Sequence, residues 1–235
     1  MPMRFDVITI FPRIFNSVFE ESLIKKARER GVIDIQTHDL RDYTFNKHRK
    51  VDDYPFGGGV GMILAVEPIV RALERLKPSN PDAKTVLLSP SGITFNQKKA
   101  WELSREKGLI MICGRYEGVD QRITEHFVDE EISIGDYVLS GGEIPAMALI
   151  ESVSRLIPGV VGDEKAVAVE SFESGLLEYP QYTRPREFRG YTVPDELISG
   201  NHAKIQKWQK EQALKKTKHL RPDLINKNND SKDKF

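Results

Sequence analysis

The sequence contains very little cysteine: among its 235 residues there is one, Cys113. A single cysteine excludes an internal disulfide, and because disulfides belong to oxidising compartments, this scarcity predicts a cytoplasmic protein. No apolar run approaches the roughly 20 residues that span a bilayer, and the first residues lack the pattern of a signal peptide. We therefore expect no membrane partner. With 39% hydrophobic residues, the chain is expected to form one or two globular domains.

The chain also lacks net charge, since 35 Lys and Arg balance 35 Asp and Glu. This removes the simplest argument for a nucleic-acid partner. The balance is uneven, because residues 1–202 hold 25 basic and 31 acidic residues whereas residues 203–235 hold 10 and 4. The basic residues of this tail follow helical spacing, with Ile205 and Trp208 predicted to face inward. They form either a solvated helix face or a surface that contacts phosphates.

Short apolar runs alternate with helical patterns through most of the chain. The apolar runs predict strands at 5–11, 32–38, 85–88 and 109–113, the third ending at Ser89-Pro90. The helical patterns lie at 12–30 with Gly31 as the C-cap, and at 67–76, 95–107 and 143–156. Continuous apolar strands separated by helices are typical of a parallel sheet covered on both faces, so the predicted fold class is α/β.

The pattern changes near residue 162, where apolar periodicity fades and acidic residues accumulate. We predict an α/β domain over 1–161 and an interdomain linker over 162–173. A small helical domain is expected over 174–225, where Tyr, Pro and Arg precede a helical pattern. The polar residues 226–235 are predicted to form a disordered tail.

Three segments hold more glycine than packing requires, and the first spans 56–62. A nucleotide-binding P-loop would need Lys and Ser or Thr after its last glycine, but Met62 and Ile63 follow instead. The basic run at 47–50 precedes this segment and suits contact with an anionic partner. A flexible surface loop is the alternative.

The other two glycine-rich segments, 113–118 and 134–143, follow apolar strands, and 89–92 occupies the same kind of position. Ligands of open α/β sheets bind at the carboxyl ends of strands. We therefore predict that these loops converge on one pocket. Neither segment matches the dinucleotide fingerprint, which argues against a Rossmann site.

Segments 88–90, 113–118 and 134–143 resemble the signature loops of bacterial tRNA (guanine-N1)-methyltransferases. These enzymes belong to the SPOUT class, whose members carry a deep trefoil knot. Further motifs of the family occur in the family's order, between residues 5 and 225, at 57–62, 175–178, 182–185 and 199–203. The resemblance implies a knot at the C-terminal side of the sheet domain and a helical domain that holds tRNA. It also implies a homodimer whose active sites are shared between subunits.

The resemblance further implies that S-adenosylmethionine donates a methyl group to N1 of the guanosine immediately 3′ of the anticodon. The residues that match the family's cofactor loops are Pro90, Gly114, Tyr116, Glu117, Ile134, Gly135, Asp136, Tyr137, Val138, Leu139, Gly141 and Gly142. With the basic regions, the resemblance leads us to expect tRNA contacts at Arg49, Gly57, Gly58, Gly59, Arg184, His202 and Lys207.

Methylation at N1 of guanine requires a general base, because this nitrogen carries a proton. Negative charge then develops on O6, where a guanidinium would stabilise it. The resemblance assigns the role of the base to Glu170 and that of the guanidinium to Arg155. The alternative for Arg155 is a purely structural role, in which an arginine at the C-terminus of a helix interacts with the helix dipole. The five histidines show no ligand spacing, so we predict no tightly bound metal and leave magnesium assistance open.

Glu170 departs from the family pattern, which has Asp-Ser where this chain has Glu170-Ser171. The added methylene moves the carboxylate by about 1.5 Å when extended, and misplacement of that order slows catalysis unless the linker compensates. Our hypothesis is that Glu170 serves as the base; the alternative is another carboxylate. The departure also leaves open a cofactor-binding RNA module with weakened catalysis. A related knotted RNA 2′-O-methyltransferase is the other alternative, against which the motifs between 171 and 203 argue.

Overall fold

The computed structural model describes residues 2–162, 167 and 169–225. The chain divides into two compact units, Met1–Gly162 and Asp163–Phe235. The predicted tail at 226–235 and part of the predicted linker, at 163–166 and 168, lie outside the described residues.

A parallel sheet of five strands, ordered β2-β1-β6-β5-β7, forms the centre of the first unit. Each neighbouring pair in it is parallel, which confirms the predicted α/β class. Its strands are β1 Met3–Thr9, β2 Ile33–Asp39, β5 Lys84–Thr94, β6 Gly108–Cys113 and β7 Glu130–Ser133. Two short antiparallel strands, β3 Asp52–Asp53 and β4 Ile63–Leu64, pair outside this sheet.

Helices connect the strands. The α-helices of the first unit are α1 Asn16–Phe19, α2 Ser22–Glu29, α3 Val66–Leu76, α4 Gln97–Leu103, α5 Gln121–His126 and α6 Glu143–Ser154. Short 3-10 helices lie at Pro12–Phe15, Leu40–Tyr43 and Lys77–Ser79. All six residues of β6 are buried, as expected of a central strand covered on both faces. On one face, Ile110 and Ile112 join a core cluster with Ile69 and Leu73 of α3.

Two strand predictions need correction. The third predicted strand does not end at Ser89-Pro90, because β5 continues to Thr94 with a register shift between Leu88 and Ile93. Proline has no N–H for the ladder, and a bulge or other irregularity in the pairing is where a strand tolerates it. Strand β7 was not predicted, since its four residues include two glutamates and carry no continuous apolar run.

The first predicted helix is also interrupted. A 3-10 turn and α1 precede a break, after which α2 begins at Ser22 with φ of +51°. The predicted C-cap is confirmed, because Gly31 adopts φ of +67° and its N–H donates to Arg28 O at 2.9 Å. The N–H of Val32 donates to Ala27 O at 3.0 Å, which completes a Schellman-type ending.

The second unit holds a short hairpin and one long helix. Strands β8 Glu187–Phe188 and β9 Tyr191–Thr192 pair antiparallel, followed by α7 Asp195–Ile198 and α8 His202–Leu220. Asn201 caps α8 by accepting from Lys204 N at 3.1 Å. The hairpin was not predicted. Among the described residues, none of the helices combines the length and hydropathy that a membrane span requires.

One face of α8 packs on the chain that precedes the hairpin. Trp208 and Thr217 are buried, in agreement with the predicted inward position of the tryptophan. The Thr217 hydroxyl donates to Ala213 O at 2.7 Å and accepts from Leu177 N at 2.9 Å. Lys216 Nζ donates to Glu178 O at 3.1 Å, so the helix and this segment form one small core.

A buried carboxylate in the middle of β1 crosslinks the first unit. Asp6 is fully buried on β1 and accepts from Arg4 Nε at 2.9 Å, from Asn80 Nδ2 at 3.2 Å and from His38 Nε2 at 2.8 Å. Burial alone would raise the pKa of Asp6, but the hydrogen bonds from His38, Arg4 and Asn80 hold it below its ordinary value. Gly108 leaves room for the amide, since a Cβ there would lie 2.5 Å from Asn80 Oδ1.

Replacing this carboxylate should therefore destabilise the fold in a pH-dependent way. We expect Asp6→Asn to lower the free energy of unfolding by about 2–4 kcal/mol at neutral pH, because donors are left unpaired in a buried site. Since the folded pKa is depressed, the ionised Asp6 stabilises the fold above the unfolded value of about 3.9, and this contribution is lost as pH falls through the folded pKa.

Urea unfolding of both proteins between pH 7 and pH 3 measures this, with Asp34→Asn on the neighbouring strand as a control of similar chemistry. The difference between wild type and Asp6→Asn should shrink at the acid end. A difference that stays constant to pH 3 would contradict the charged network.

Candidate functional site

A cavity of about 350 Å³ lies at the carboxyl ends of β5, β6 and β7. Its walls come from three stretches of the chain, 87–91, 114–119 and 131–142, the last without Asp136. Gln121, Thr124 and Pro145 complete the lining. The predicted convergence of the loops on one pocket is therefore seen in the first unit, and the volume is in the range of small-molecule sites.

Eleven of the twelve residues that were matched to cofactor loops line this cavity. Asp136 lies in the same loop, between Gly135 and Tyr137, but is not part of the walls. Sequence reasoning missed Gln121 and Thr124, which lie on α5, because this helix of six residues is too short to show a periodic signal. It also missed Arg115, which lies inside a motif that was selected for its glycines.

The loops meet through their main chains. Gly142 N donates to Gly114 O at 2.9 Å, and a Cβ at Gly142 would lie 2.7 Å from Cys113 Cα. A Cβ at Gly114 would lie 3.3 Å from Leu88 O. Glycine is thus required at Gly142 by the close approach of another backbone, since contacts below 3.0 Å force a displacement.

The bulged end of β5 approaches β7 in the same way. A Cβ at Gly92 would lie 2.4 Å from the carbonyl carbon of Glu131. Glu130 of β7 forms ion pairs at 2.7 Å with Lys84 of β5 and with Lys99 of α4. These contacts fix the position of the edge strand β7 and therefore of the start of the loop that follows it.

A buried ion pair supports the floor of the site. Glu143, the first residue of α6, is 1% exposed and accepts from Thr9 Oγ1 at 2.7 Å and from Arg115 Nε at 2.9 Å. A Cβ at Gly141 would lie 2.1 Å from that Nε, so the guanidinium crosses directly over this glycine. The Arg115 guanidinium also lies 4.6 Å from the ring centre of Phe11. The network ties the ends of β1 and β6 to the start of α6.

Cys113 lies beneath the same loops and is fully buried. Burial raises the pKa of its thiol well above the ordinary value, and the charge of Glu143 raises it further. The thiol therefore stays protonated at neutral pH and does not act as a nucleophile.

The first glycine-rich segment approaches the second. Glu117 N donates to Met62 O, and Leu64 N donates to Gly118 O, both at 3.0 Å. A Cβ at Gly61 would lie 2.7 Å from Glu117 Cγ, so this glycine has a packing role. Residues 57–59, three of the predicted tRNA contacts, share the positive φ of Gly61 but have open surroundings.

The remaining predicted tRNA contacts lie on exposed surfaces. Arg49 forms an ion pair with Asp42. In the second unit, Arg184 is exposed, His202 begins α8, and Lys207 lies 4.0 Å from Glu211.

The two predicted catalytic residues belong to different units. Arg155 follows α6 as its C-cap, is partly buried, and donates its N–H to Glu151 O at 3.3 Å. Glu170 is partly buried in the second unit, where its N–H donates to Val167 O at 3.4 Å. Within the part of the chain that the structure describes, no group of three or more His, Cys, Asp or Glu is arranged to hold a metal ion.

Comparison with known proteins assigns the chain to a family. The family model described as tRNA (Guanine-1)-methyltransferase TrmD matches residues 3–227. The tRNA (guanine-N(1)-)-methyltransferase of Dictyoglomus turgidum is 55% identical over 225 residues, which cover 96% of this chain and 91% of the relative. Those of Citrifermentans bemidjiense and Geobacillus kaustophilus are each 52% identical over 223 residues, covering 95% of this chain and 90% and 91% of the relatives. The chain therefore belongs to the tRNA (guanine-1)-methyltransferase TrmD family.

Proposed function

We propose that the chain transfers the methyl group of S-adenosylmethionine to N1 of the guanosine immediately 3′ of the anticodon in tRNA. Membership of the family makes the chain a tRNA (guanine-N1)-methyltransferase. What we propose beyond this is the identity of the methyl donor and the position of the methylated nucleotide. The observation that carries it is the cavity of the first unit, whose walls are the loops that match the family's cofactor motifs.

The residues of the cavity suit a nucleoside with an amino-acid tail. The close main-chain contacts at Gly114 and Gly142 keep side chains out, which leaves backbone N–H and C=O groups to recognise a planar base. Glu117 and Glu131 also line the walls, and their carboxylates would attract a ligand that carries a sulfonium and an ammonium group.

When bound, S-adenosylmethionine supplies a methyl group that the sulfonium already activates, so leaving-group departure requires no metal ion. The chain must then remove the N1 proton and stabilise the charge on O6. We assign the first task to Glu170, as the general base. We assign the second to Arg155, whose guanidinium carries the opposite charge.

The longer side chain of Glu170 is compatible with this role if the segment that carries it adjusts by the length of one methylene. Support comes from the motif, since Glu170-Ser171 aligns with the family's Asp-Ser. The residue is only partly buried. A chain with weakened catalysis is the alternative that this substitution leaves open.

A trefoil knot, a homodimer with shared active sites and a cytoplasmic location complete the proposal. The family resemblance supports all three. Magnesium assistance through the RNA is compatible with this chemistry.

The product identifies the reaction directly. We expect that incubation with an unmodified tRNA transcript and S-adenosylmethionine yields 1-methylguanosine 3′ of the anticodon, located by nuclease digestion and mass spectrometry. A methyl group on a ribose 2′-oxygen would contradict the proposal and favour the related knotted class. Binding of both ligands without any methylation would favour the RNA-binding module.

The general base is tested by Glu170→Gln, which keeps the shape of the side chain but cannot accept the proton. We expect the single-turnover methylation rate to fall by about 10²- to 10⁴-fold, with unchanged affinity for S-adenosylmethionine. Glu173→Gln, a change of the same kind three residues away, should stay near wild type, and Glu170→Asp should remain active. Near-wild-type turnover of Glu170→Gln would refute the assignment.

The main-chain contact in the cavity is tested by Gly142→Ala. Its Cβ would press on Cys113 Cα and displace the loop that follows β6, so we expect S-adenosylmethionine affinity to fall by at least about tenfold, a loss of roughly 1.4 kcal/mol. Gly162→Ala is a matched control, because a Cβ there meets nothing within 4 Å. Calorimetric titration measures both. Equal affinities in the two variants would argue against this account of the cavity.

A further inference from the structure

The hairpin of the second unit carries two aromatic side chains on one face. Phe188 of β8 pairs directly with Tyr191 of β9, and directly paired residues of an antiparallel ladder project to the same side. Phe188 is 60% exposed and Tyr191 is 80% exposed. Two strands of two residues each gain little stability from such rings, so folding alone does not account for them.

A cation lies beside these rings. The turn residues Arg189 and Gly190 have φ of +52° and +84°, the pattern of the tight turns that join short hairpins. The Arg189 guanidinium lies 5.2 Å from the ring centre of Phe188, within the range of a cation–π contact. The tip of the hairpin thus presents two aromatic rings and one planar cation.

The surroundings of the hairpin are basic. Arg184 and Arg186 precede it, and Glu187 is the only acidic residue between 182 and 191. Arg186 forms an exposed ion pair with Asp195 at 3.2 Å, whereas Arg184 is exposed to solvent. Over 174–225 the sequence holds 10 basic and 6 acidic residues. This excess of basic residues favours a polyanionic partner such as a nucleic acid.

We propose that Phe188, Arg189 and Tyr191 form a stacking surface for unpaired bases of the bound tRNA. The inference rests on the proposed function, which places the methylated guanosine in a loop. Proteins recognise unpaired bases by stacking them on aromatic rings and arginine planes, whereas paired bases keep their faces covered. The hairpin residues act as positioning residues: they hold the substrate and take no part in the chemistry.

The test compares Phe188→Ser/Tyr191→Ser with wild type on two RNAs, a full-length tRNA transcript and a blunt RNA duplex of matched length. We expect the Kd for tRNA to rise by about tenfold, as loss of base stacking predicts, while the Kd for the duplex stays unchanged. KM for tRNA should rise in parallel at a constant kcat. Because stacking releases few counterions, the salt dependence of tRNA binding should keep its slope.

Two matched controls separate stacking from a general loss of apolar surface. Phe188→Tyr/Tyr191→Phe keeps both rings and should bind tRNA like wild type. Leu220→Ser removes a side chain that is 57% exposed in the same unit and should leave both Kd values unchanged. Circular dichroism checks that each variant keeps the helix content of wild type.

Failure of this inference is distinguishable from failure of the proposed function. If wild type produces 1-methylguanosine but the double serine variant binds tRNA as tightly as wild type, or loses affinity for both RNAs equally, the stacking surface is wrong and the methyltransferase assignment stands. If wild type produces no 1-methylguanosine, the proposed function is wrong, and the comparison of tRNA with duplex still decides on the hairpin.

Discussion

The close contact between the main chains of three loops is the constraint on which the candidate site depends. Gly142 N meets Gly114 O, and a Cβ at Gly142 would collide with Cys113 Cα. This contact forces the loops after β6 and β7 to share one volume with the bulged end of β5. The cavity therefore depends on glycines at the points where these main chains meet, and peptide groups exposed there can recognise a nucleoside by hydrogen bonding without a charged side chain at each position.

Two buried carboxylates crosslink the sheet that carries these loops. Asp6 accepts hydrogen bonds from three side chains in the middle of β1, and Glu143 accepts hydrogen bonds from Thr9 and Arg115 at the carboxyl end of the sheet. Each joins chain segments that are distant in sequence, and each is satisfied by hydrogen bonds, as a buried charge must be. The second of them connects the fold to its function, because Arg115 crosses Gly141 at the edge of the cavity.

The apolar runs were sufficient to predict the central strands β1 and β6, because these strands are almost entirely buried and buried parallel strands are rich in apolar residues. The edge strand β2 was predicted from a weaker signal, since only Ile33 and Ile35 of its seven residues are buried. The same signal failed at β7, whose Glu130 forms ion pairs with Lys84 and Lys99, a tertiary effect that no local pattern contains. It also ended β5 too early at Pro90. The glycine-rich segments predicted the pocket, but the role of Arg115 with Glu143 requires knowing that residues 28 positions apart are 2.9 Å from each other.

In the second unit, the spacing of the basic and apolar residues was sufficient to predict the long helix. The hairpin was not predicted, because its two-residue strands contain no apolar run. The neutral charge of the chain conceals an uneven distribution, because residues 203–235 hold 10 basic and 4 acidic residues whereas residues 1–202 hold 25 and 31. The central claim is that glycine main chains form this cavity for S-adenosylmethionine. A crystal structure of the chain with S-adenosylmethionine tests it most directly: the account predicts the adenosine against the main chain of 114–118 and 134–142. A cofactor bound elsewhere, or held there by side chains with no main-chain hydrogen bond, would contradict it.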